Sequence, residues 1–370
     1  MDSQNIPLAR ASLDQEDIEG VLDVLKSGRL ASGDRIAAFE RDFASYVGSK
    51  YACAVSSGTA ALHLAIKALG IGSGDEVITS PFSFIASTNC ILYEGATPVF
   101  ADIDEKTFNI DVSKIESLIT SRTKAILPVH VFGQSAGMDE IISIAKKHNL
   151  AVLEDACESL GSTYNGKMVG SIGDVGVFGF YPNKQMTTGE GGMLVTDSES
   201  IYDLCKSLSN QGRVHDAVWL LYERMGYNYR LDEMSASLGL TQLAKIDRFI
   251  SVRREIVAKY DASLRTIPSL VLPTTESNRT HSWFAYVVRV TNGKRDIIRS
   301  ALSATGIETR EYFPAIHLQP FMRKRFGFKD GDFPVAESIA RETMALPLYI
   351  GLRDVDIKRV ATEIAEAIKT

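Results

Sequence analysis

Apolar and polar positions alternate along residues 35–240 with two different periods, which predict alternating helices and strands. Apolar residues recur at helical spacing in "RIAAFERDFASYVG", "TAALHLAIKALG", "FIASTNCILYEG", "VSKIESLIT" and "MDEIISIAKKHN". Short apolar runs typical of buried strands are "YACAVSS", "DEVITSP", "TPVFADI", "TKAILPVHVFG" and "LAVLEDAC". Strands of this kind between helices predict a mostly parallel sheet that helices cover on both faces.

The second half of the chain has a different pattern. "DVGVFGFYPNK" and "GGMLVTDS" predict two more strands, and residues 233–267 predict a long helical connection. After it, "WFAYVVRV" has the character of a strand and "VDIKRVATEIAEAIK" that of a helix. We therefore predict a large domain over residues 1–245 and a smaller α+β domain over residues 246–370.

Composition narrows the classes of protein that this chain can belong to. With 45% apolar residues among 370, the chain can build a sizeable core. Its formal net charge of −6 argues against nucleic acid as a partner. The cysteines Cys53, Cys90, Cys157 and Cys205 form no CxxC pair, which favours free thiols over a disulfide or zinc framework, and we expect no metal site. The N-terminal "MDSQNIPLAR" does not resemble a signal peptide, and no apolar run reaches about 20 residues, so we expect a cytoplasmic protein without membrane contact.

Three chemically suggestive features follow predicted strands, where ligands of open α/β sheets bind. In "SSGTAAL", residues 56–62, a strand runs directly into a helix whose N-terminus attracts anions. Gly58 permits close approach of a ligand and Thr59 adds a hydroxyl. The alternative is an ordinary N-capped helix.

The other two features are a pair of carboxylates and a lysine. "LAVLEDAC" ends in Glu154 and Asp155, and such a carboxylate pairs with a cationic ring nitrogen, caps a helix or forms a buried ion pair. Lys184, in "GFYPNKQMTTGEGG", is either a solvated charge or a nucleophile toward a carbonyl. An anion cradle, an acid and a lysine are together the parts of a pyridoxal phosphate site.

Seven longer segments carry a family resemblance. They are "SSGTAALHLAI", "PFSFIAS", "GATPVFADID", "PVHVFGQ", "EDACESLG", "GFYPNKQMTTGEGGMLVT" and "GYNYRLDEMSASLGL". These segments resemble the DegT/DnrJ/EryC1/StrS family of fold-type-I, pyridoxal-phosphate-dependent aminotransferases, which act on nucleotide-linked keto-sugars. The resemblance extends from about residue 10 to the C-terminus. It implies an α/β fold with a mostly parallel seven-stranded sheet and a smaller C-terminal α+β domain.

The resemblance also implies roles for individual residues. Lys184 matches the lysine that bonds to the cofactor, and Asp155 matches the acid that keeps its pyridine nitrogen protonated. The predicted phosphate cradle consists of Ser57, Gly58 and Thr59, and Phe84 matches the aromatic residue stacked on the ring. Asn228 matches an asparagine that reaches the phosphate in the partner subunit, which implies a homodimer with shared active sites.

Candidate substrate-binding residues are Tyr181, Arg230 and His317. Each has an alternative role: packing for Tyr181, bracing of the subunit interface for Arg230, and a surface position for His317. His130 is interpreted as a core histidine.

Two positions depart from the commonest pattern of the family. Many members carry a serine five residues before the lysine, where this chain has Gly179, so one phosphate contact is lost or replaced. Many carry a glutamine three residues after the acid, near the phenolic oxygen of the cofactor, where this chain has Glu158. A carboxylate there repels a phenolate unless it is protonated or turned away.

The resemblance predicts an aminotransferase that moves an amino group from glutamate to a keto carbon of a nucleotide-linked deoxy-sugar. One alternative is a dehydratase of the same family, in which histidine replaces the lysine. Another is a regulator that binds the cofactor or sugar without turnover. Lys184 argues against the first, and the Lys184–Asp155 pair argues against the second.

Overall fold

A computed structural model describes residues 5–214 and 221–369 of the chain. Its helices are α1 (Gln15–Ser27), α2 (Asp34–Val47), α3 (Gly58–Ala68), α4 (Ala86–Tyr93), α5 (Met138–His148), α6 (Glu199–Ser209), α7 (Glu233–Leu243), α8 (Ile246–Leu264), α9 (Arg295–Ala304), α10 (Pro320–Phe326), α11 (Pro334–Glu342) and α12 (Asp354–Lys369). Its strands are β1 (Tyr51–Val55), β2 (Glu76–Thr79), β3 (Thr97–Phe100), β4 (Thr123–Leu127), β5 (Ala151–Asp155), β6 (Thr163–Tyr164), β7 (Lys167–Met168), β8 (Val175–Gly179), β9 (Gly192–Thr196), β10 (Leu270–Val271), β11 (Tyr286–Val290) and β12 (Thr343–Leu346).

The central sheet has seven strands in the order β1-β9-β8-β5-β4-β2-β3. Strand β9 runs antiparallel to both of its neighbours, and the remaining paired strands run parallel to one another. The predicted mostly parallel seven-stranded sheet is therefore confirmed. Because the parallel strands end at one edge, loops that are distant in sequence meet there.

Side chains alternate between two buried faces of this sheet, as the pleat of a strand requires. On β5, Leu153 packs in the cluster that contains residues of α3 and α4, whereas Val152 packs in the cluster that contains residues of α2 and α5. By the same alternation, Asp155 lies on the face of Leu153 and Glu154 on the face of Val152. Two adjacent carboxylates are thus directed to opposite sides of the sheet.

A second, antiparallel sheet in the order β10-β11-β12 lies in the C-terminal part of the chain. It shares a hydrophobic cluster with α8, α9 and α12. Ile6 packs in the same cluster, and its N–H donates to the carbonyl of Gly306 at 2.9 Å. The N-terminal segment thus packs with residues that follow it by 300 positions, while the division at residue 245 stays a prediction.

One sequence-based element prediction is wrong. "VSKIESLIT" forms two short 3-10 turns, Val112–Lys114 and Glu116–Leu118, instead of a helix. The helical connection predicted over residues 233–267 consists of two helices, α7 and α8. None of the helices in residues 5–214 and 221–369 combines the length and apolar character needed to cross a membrane.

Candidate active site

One cavity of about 520 Å³ lies where strands β1, β5 and β8 end. It brings together eight of the predicted site residues: Ser57, Gly58, Thr59, Phe84, Asp155, Glu158, Tyr181 and Lys184. Phe284, Tyr312 and Phe313 complete the lining from the C-terminal part of the chain. The cavity therefore lies between the seven-stranded sheet and the residues predicted to form the smaller domain.

The N-terminus of α3 forms one end of the cavity. The first four N–H groups of a helix have no intrahelical acceptor. In α3 the N–H of Ala60 is capped by Ser57 Oγ at 3.0 Å. The N–H groups of Gly58 and Thr59 also belong to this set, and both residues line the cavity. This end is suited to a bound anion such as phosphate.

Glycine at position 58 is required by the close approach of neighbouring chain segments. A Cβ atom there would lie 2.9 Å from Cys157 Sγ and 3.2 Å from Gly179 Cα. At Gly179, in contrast, a Cβ would lie 3.4 Å from Cys157 Sγ, which is ordinary van der Waals contact. The space beside the cradle thus admits a small side chain at position 179 but not at position 58.

Asp155 is held at the opposite side of the cavity by two donors. Its Oδ2 accepts from Ser87 Oγ at 2.7 Å, and its Oδ1 accepts from the N–H of Cys157 at 3.1 Å. Both oxygens of this buried carboxyl group are therefore hydrogen-bonded and fixed in place. A buried carboxylate held in this way suits a cationic ring nitrogen.

Glu154 has a structural role on the other face of the sheet. Its oxygens accept from the N–H groups of Gly170, Ile172 and Gly173 at 2.6–2.8 Å. His130 Nδ1 accepts from the N–H of Ala136, which leaves Nε2 to donate to Glu154 at 2.8 Å. His130 is fully buried, so its interpretation as a core histidine is confirmed.

Lys184 projects into the cavity, with about 15% of its side chain exposed. Its Nζ lies 3.8 Å from Glu158 Oε1 and 4.1 Å from the centre of the Phe284 ring. The lysine is therefore a partly enclosed group with two specific neighbours. A solvated surface charge, the alternative reading from the sequence, does not describe it.

Glu158 is buried beside the lysine, and its Oε2 accepts from the N–H of Phe132 at 3.0 Å. Burial raises the pKa of Glu158, and the opposing effects of Lys184 and the Phe132 N–H are smaller. Its other oxygen, Oε1, is the one near Lys184. The carboxyl group of Glu158 is thus fixed through Oε2, while Oε1 points toward Lys184 Nζ.

The structure corrects the surface position that was the alternative for His317. This residue is fully buried, and it is not part of the cavity lining. Its Nε2 lies 3.1 Å from Glu337 Oε1, and its ring packs edge-on against Phe333. Its role toward the substrate stays a prediction.

Asn228 and Arg230 lie outside the cavity of their own chain, and both are exposed. Asn228 forms a bridge with Asn210, and Arg230 Nη1 donates to Asn210 Oδ1 at 2.9 Å. Their predicted roles toward the cofactor and substrate stay predictions. Tyr181, in contrast, lines the cavity while remaining 53% exposed.

Sequence reasoning missed several members of the site. Asn183 lines the cavity, and its buried Oδ1 has no hydrogen-bond partner among the described residues. The sequence feature that could have identified Asn183 as a site residue is its position directly before Lys184. Phe284, Tyr312 and Phe313 follow no strand end of the large sheet, so no pattern in the sequence identified them.

Comparisons with known proteins agree with this geometry. The sequence model of the DegT/DnrJ/EryC1/StrS aminotransferase family matches residues 11–365. The chain is 42% identical to the spore coat polysaccharide biosynthesis protein SpsC of Bacillus subtilis, over 98% of this chain and 97% of that protein. It is 39% identical to the GDP-perosamine synthase of Caulobacter vibrioides, over 99% of both. It also superposes on the PLP form of the putative sugar aminotransferase Spr1654 from Streptococcus pneumoniae with a TM-score of 0.94 and 27% identity, over 99% of each chain, and the predicted fold class is confirmed.

Proposed function

Because the chain belongs to the DegT/DnrJ/EryC1/StrS aminotransferase family, we propose that it is a pyridoxal-phosphate-dependent enzyme that moves an amino group from glutamate to a keto carbon of a nucleotide-linked deoxy-sugar. The observation that supports this most directly is the placement of Lys184 and Asp155 in the cavity that begins at the N-terminus of α3. The GDP-perosamine synthase among the relatives supports a nucleotide-linked sugar as substrate.

The residues present fit the cofactor at each end of the cavity. The N–H groups of Gly58 and Thr59 bind the phosphate, with the Thr59 hydroxyl as a further donor. The Asp155 carboxylate keeps the proton on the ring nitrogen. When bound, the cofactor supplies an aldehyde that takes up the amino group and a cationic ring that withdraws electrons from the reacting carbon.

Lys184 and the cavity walls carry out the remaining tasks. Once its amine is free, Lys184 Nζ would remove the proton from the substrate carbon and return it to the cofactor carbon that carried the aldehyde. Phe84, Tyr312 and Phe313 line the cavity. Phe84 would stack on the cofactor ring, and Tyr312 with Phe313 would limit the access of water to the reacting atoms. Since the donor leaves as a keto acid before the acceptor binds, the kinetics are expected to be ping-pong.

The proposed assembly is a homodimer in which each site is completed by the second chain. Helix α1 exposes Ile18, Leu22 and Leu25 along one stripe, each at least 42% exposed. Phe84, beside the cavity, is 60% exposed. We propose that a second copy covers these side chains and that its exposed Asn228 reaches the cavity.

The experiment that tests the function is chemical trapping followed by an assay. Borohydride reduction of the yellow holoenzyme is expected to place a pyridoxyl adduct on Lys184, identified by peptide mass spectrometry. Lys184→Ala should give no adduct and no transamination with any member of a panel of keto-sugar nucleotides and glutamate. A dehydratase or a binding regulator would yield no amino sugar with that panel, and an adduct on another lysine would overturn the assignment.

A further inference from the structure

The ammonium group of Lys184 faces an aromatic ring in addition to a carboxyl group. The Phe284 ring centre lies 4.1 Å from Nζ, well inside the range of about 6 Å over which a ring face attracts a cation. Phe284 is only 5% exposed, so little water competes for this contact. A desolvated ring face binds a cation more strongly than an exposed one.

The backbone of Phe132 holds both neighbours of the lysine. Its N–H donates to Glu158 Oε2 at 3.0 Å, and its carbonyl accepts from the N–H of Phe284, also at 3.0 Å. Phe132 has a φ of 57°, and Trp283, next to Phe284, has a φ of 56°. Left-handed conformations cost a non-glycine residue roughly 1–3 kcal/mol and concentrate at functional sites. In this site, the left-handed conformations of Phe132 and Trp283 accompany the convergence of Glu158 and Phe284 on Lys184 Nζ.

Arg253 of α8 joins the main chains that carry the lysine and the ring. Its Nη1 donates to the carbonyls of Trp283 and Phe284 at 3.0 and 3.4 Å, and its Nη2 donates to the carbonyl of Lys184 at 3.4 Å. The guanidinium is buried. The spacing between Lys184 and Phe284 is therefore set by the backbone on both sides.

We propose that Phe284 is a positioning residue whose ring holds the Lys184 ammonium group in the cavity whenever the amine is protonated and not bonded to the cofactor. This proposal rests on the proposed function, because it concerns the interval after the lysine has been displaced. Besides Phe284, the groups that interact with Lys184 are Glu158 and Cys157, and Asp155 and Tyr312 in turn interact with Glu158. Burial raises the pKa of Glu158 and so favours its neutral form, which attracts the ammonium group less than the carboxylate does. The Phe284 ring cannot take up a proton, so its attraction for the ammonium group does not change in this way.

The test replaces Phe284 with phenylalanines that carry one, two or three fluorine atoms, which weaken the attraction of the ring face for a cation and change its size little. The full chain without cofactor is treated with acetic anhydride at about pH 7.5, where an ordinary lysine is mostly protonated. Mass spectrometry then compares acetylation of Lys184 with that of Lys26, whose side chain is 74% exposed. Because the cation–ring attraction is worth about 0.5–2 kcal/mol, loss of the attraction should raise Lys184 acetylation by roughly 2- to 30-fold, in steps with the fluorine number.

Phe313 is the matched control, because it lines the same cavity and is 7% exposed. The same fluorinated residues at position 313 are expected to leave Lys184 acetylation unchanged. Phe284→Leu, which removes the ring face, should reach at least the trifluoro value and keeps the test possible if fluorinated protein is scarce. Equal acetylation across the series, or an equal trend at position 313, would overturn the proposal. Borohydride trapping on Lys184 is independent of this result, so failure of the proposed function would be recognised separately.

Discussion

Glu154 and Asp155 illustrate how one step along a strand changes the chemistry of a carboxylate. Both end β5, but the pleat directs them to opposite faces of the sheet. Glu154 is satisfied by three backbone N–H groups and His130, so it stabilises the fold. Asp155 has its donors on one side and the cavity on the other. Only Asp155 is therefore available to a ligand.

Asp155→Asn is expected to retain the cofactor but slow turnover by several orders of magnitude. An amide does not keep the ring nitrogen protonated, and the lost charge-assisted hydrogen bond alone costs about 1.5–3 kcal/mol. Single-turnover kinetics and cofactor absorbance measure the two effects separately. Ser87→Ala is the control, since it removes the hydrogen-bond donor to Asp155 Oδ2 but keeps the Asp155 carboxylate. The loss of this hydrogen bond should raise the activation free energy of turnover by only about 1 kcal/mol. Turnover of Asp155→Asn within a few-fold of wild type would show that Asp155 is structural.

Gly179→Ser is expected to tighten binding of the cofactor by up to about tenfold, the value of one net hydrogen bond of about 1.4 kcal/mol. The position has room for a Cβ, whereas Gly58 does not, so Gly58→Ser should weaken binding. Titration with pyridoxal phosphate and with pyridoxal distinguishes a phosphate contact from a general effect. A gain of equal size for pyridoxal would contradict the proposed contact.

At the residue level, the sequence identified those site residues that follow strands of the large sheet. Lys184 and Asp155 do so, and parallel strands end at one edge, so their meeting in one cavity was foreseeable. Phe284 reaches the cavity through hydrogen bonds to Phe132 and Arg253, which no periodicity reports. The surface position considered for His317 is wrong, because burial among aromatic side chains cannot be read from a short motif.

At the scale of elements, Glu94 connects α3, α4 and the segment that carries Asn228. Its carboxylate accepts from Lys67 Nζ at 2.8 Å and from Tyr227 Oη at 3.1 Å, and it lies 2.7 Å from His63 Nε2. His63 Nδ1 lies 3.0 Å from Tyr229 Oη. The two tyrosines on either side of Asn228 are thus anchored to the helix whose N-terminus forms the phosphate cradle.

This network predicts a pH-dependent contribution to stability. Burial alone would raise the pKa of Glu94, but hydrogen bonds from Lys67 and His63 outweigh it, so its pKa lies below the ordinary value of 4.5. A lowered pKa in the folded state gives stability that is present above the unfolded pKa and is lost as the pH falls through the folded one.

The expected result is a difference in Tm between wild type and Glu94→Gln that is largest near pH 6 and narrows below about pH 4.5. Differential scanning calorimetry across this range measures it. Asp23→Asn is the control, because Asp23 is 63% exposed and its contact with Lys26 is a surface ion pair worth little. A difference for Glu94→Gln that stays constant with pH would contradict the role assigned to the carboxylate.

Local sequence patterns predicted most elements of the large sheet. They did not predict local structure or helix boundaries that depend on tertiary contacts. Nine residues of "VSKIESLIT" are too few to stabilise a helix by themselves, and they form 3-10 turns around the buried Ile115. The break between α7 and α8 falls at Lys245, whose Nζ binds Asp14 at 2.7 Å and Asp17 at 2.8 Å. Partners more than 220 residues away cannot be inferred from helical periodicity.

At the scale of the whole molecule, the exposed side chains that concern the proposed dimer lie on α1, at the cavity and in the segment that carries Asn228. The stripe on α1 and Phe84 are apolar, whereas Asn228 and Arg230 are polar and exposed. Within its own chain, Asn228 forms a backbone bridge with Asn210. The shared-site proposal assigns it to the phosphate bound by the second chain, and a test must separate this from a role within its own chain.

Mixed dimers of Lys184→Ala and Asn228→Asp chains provide that separation, because a carboxylate at position 228 should repel the phosphate. If sites are shared, one site of the mixed dimer collects both lesions and the other has neither, so activity should recover to about half of wild type per dimer for independent sites. If each site takes both residues from one chain, every site has a lesion and no activity returns. Mixing Lys184→Ala with Asp155→Asn is the matched control, since both residues line the cavity of one chain and no recovery is expected. Provided that both homodimers are folded and nearly inactive and that native mass spectrometry verifies subunit exchange, absence of recovery in the first mixture refutes the shared site.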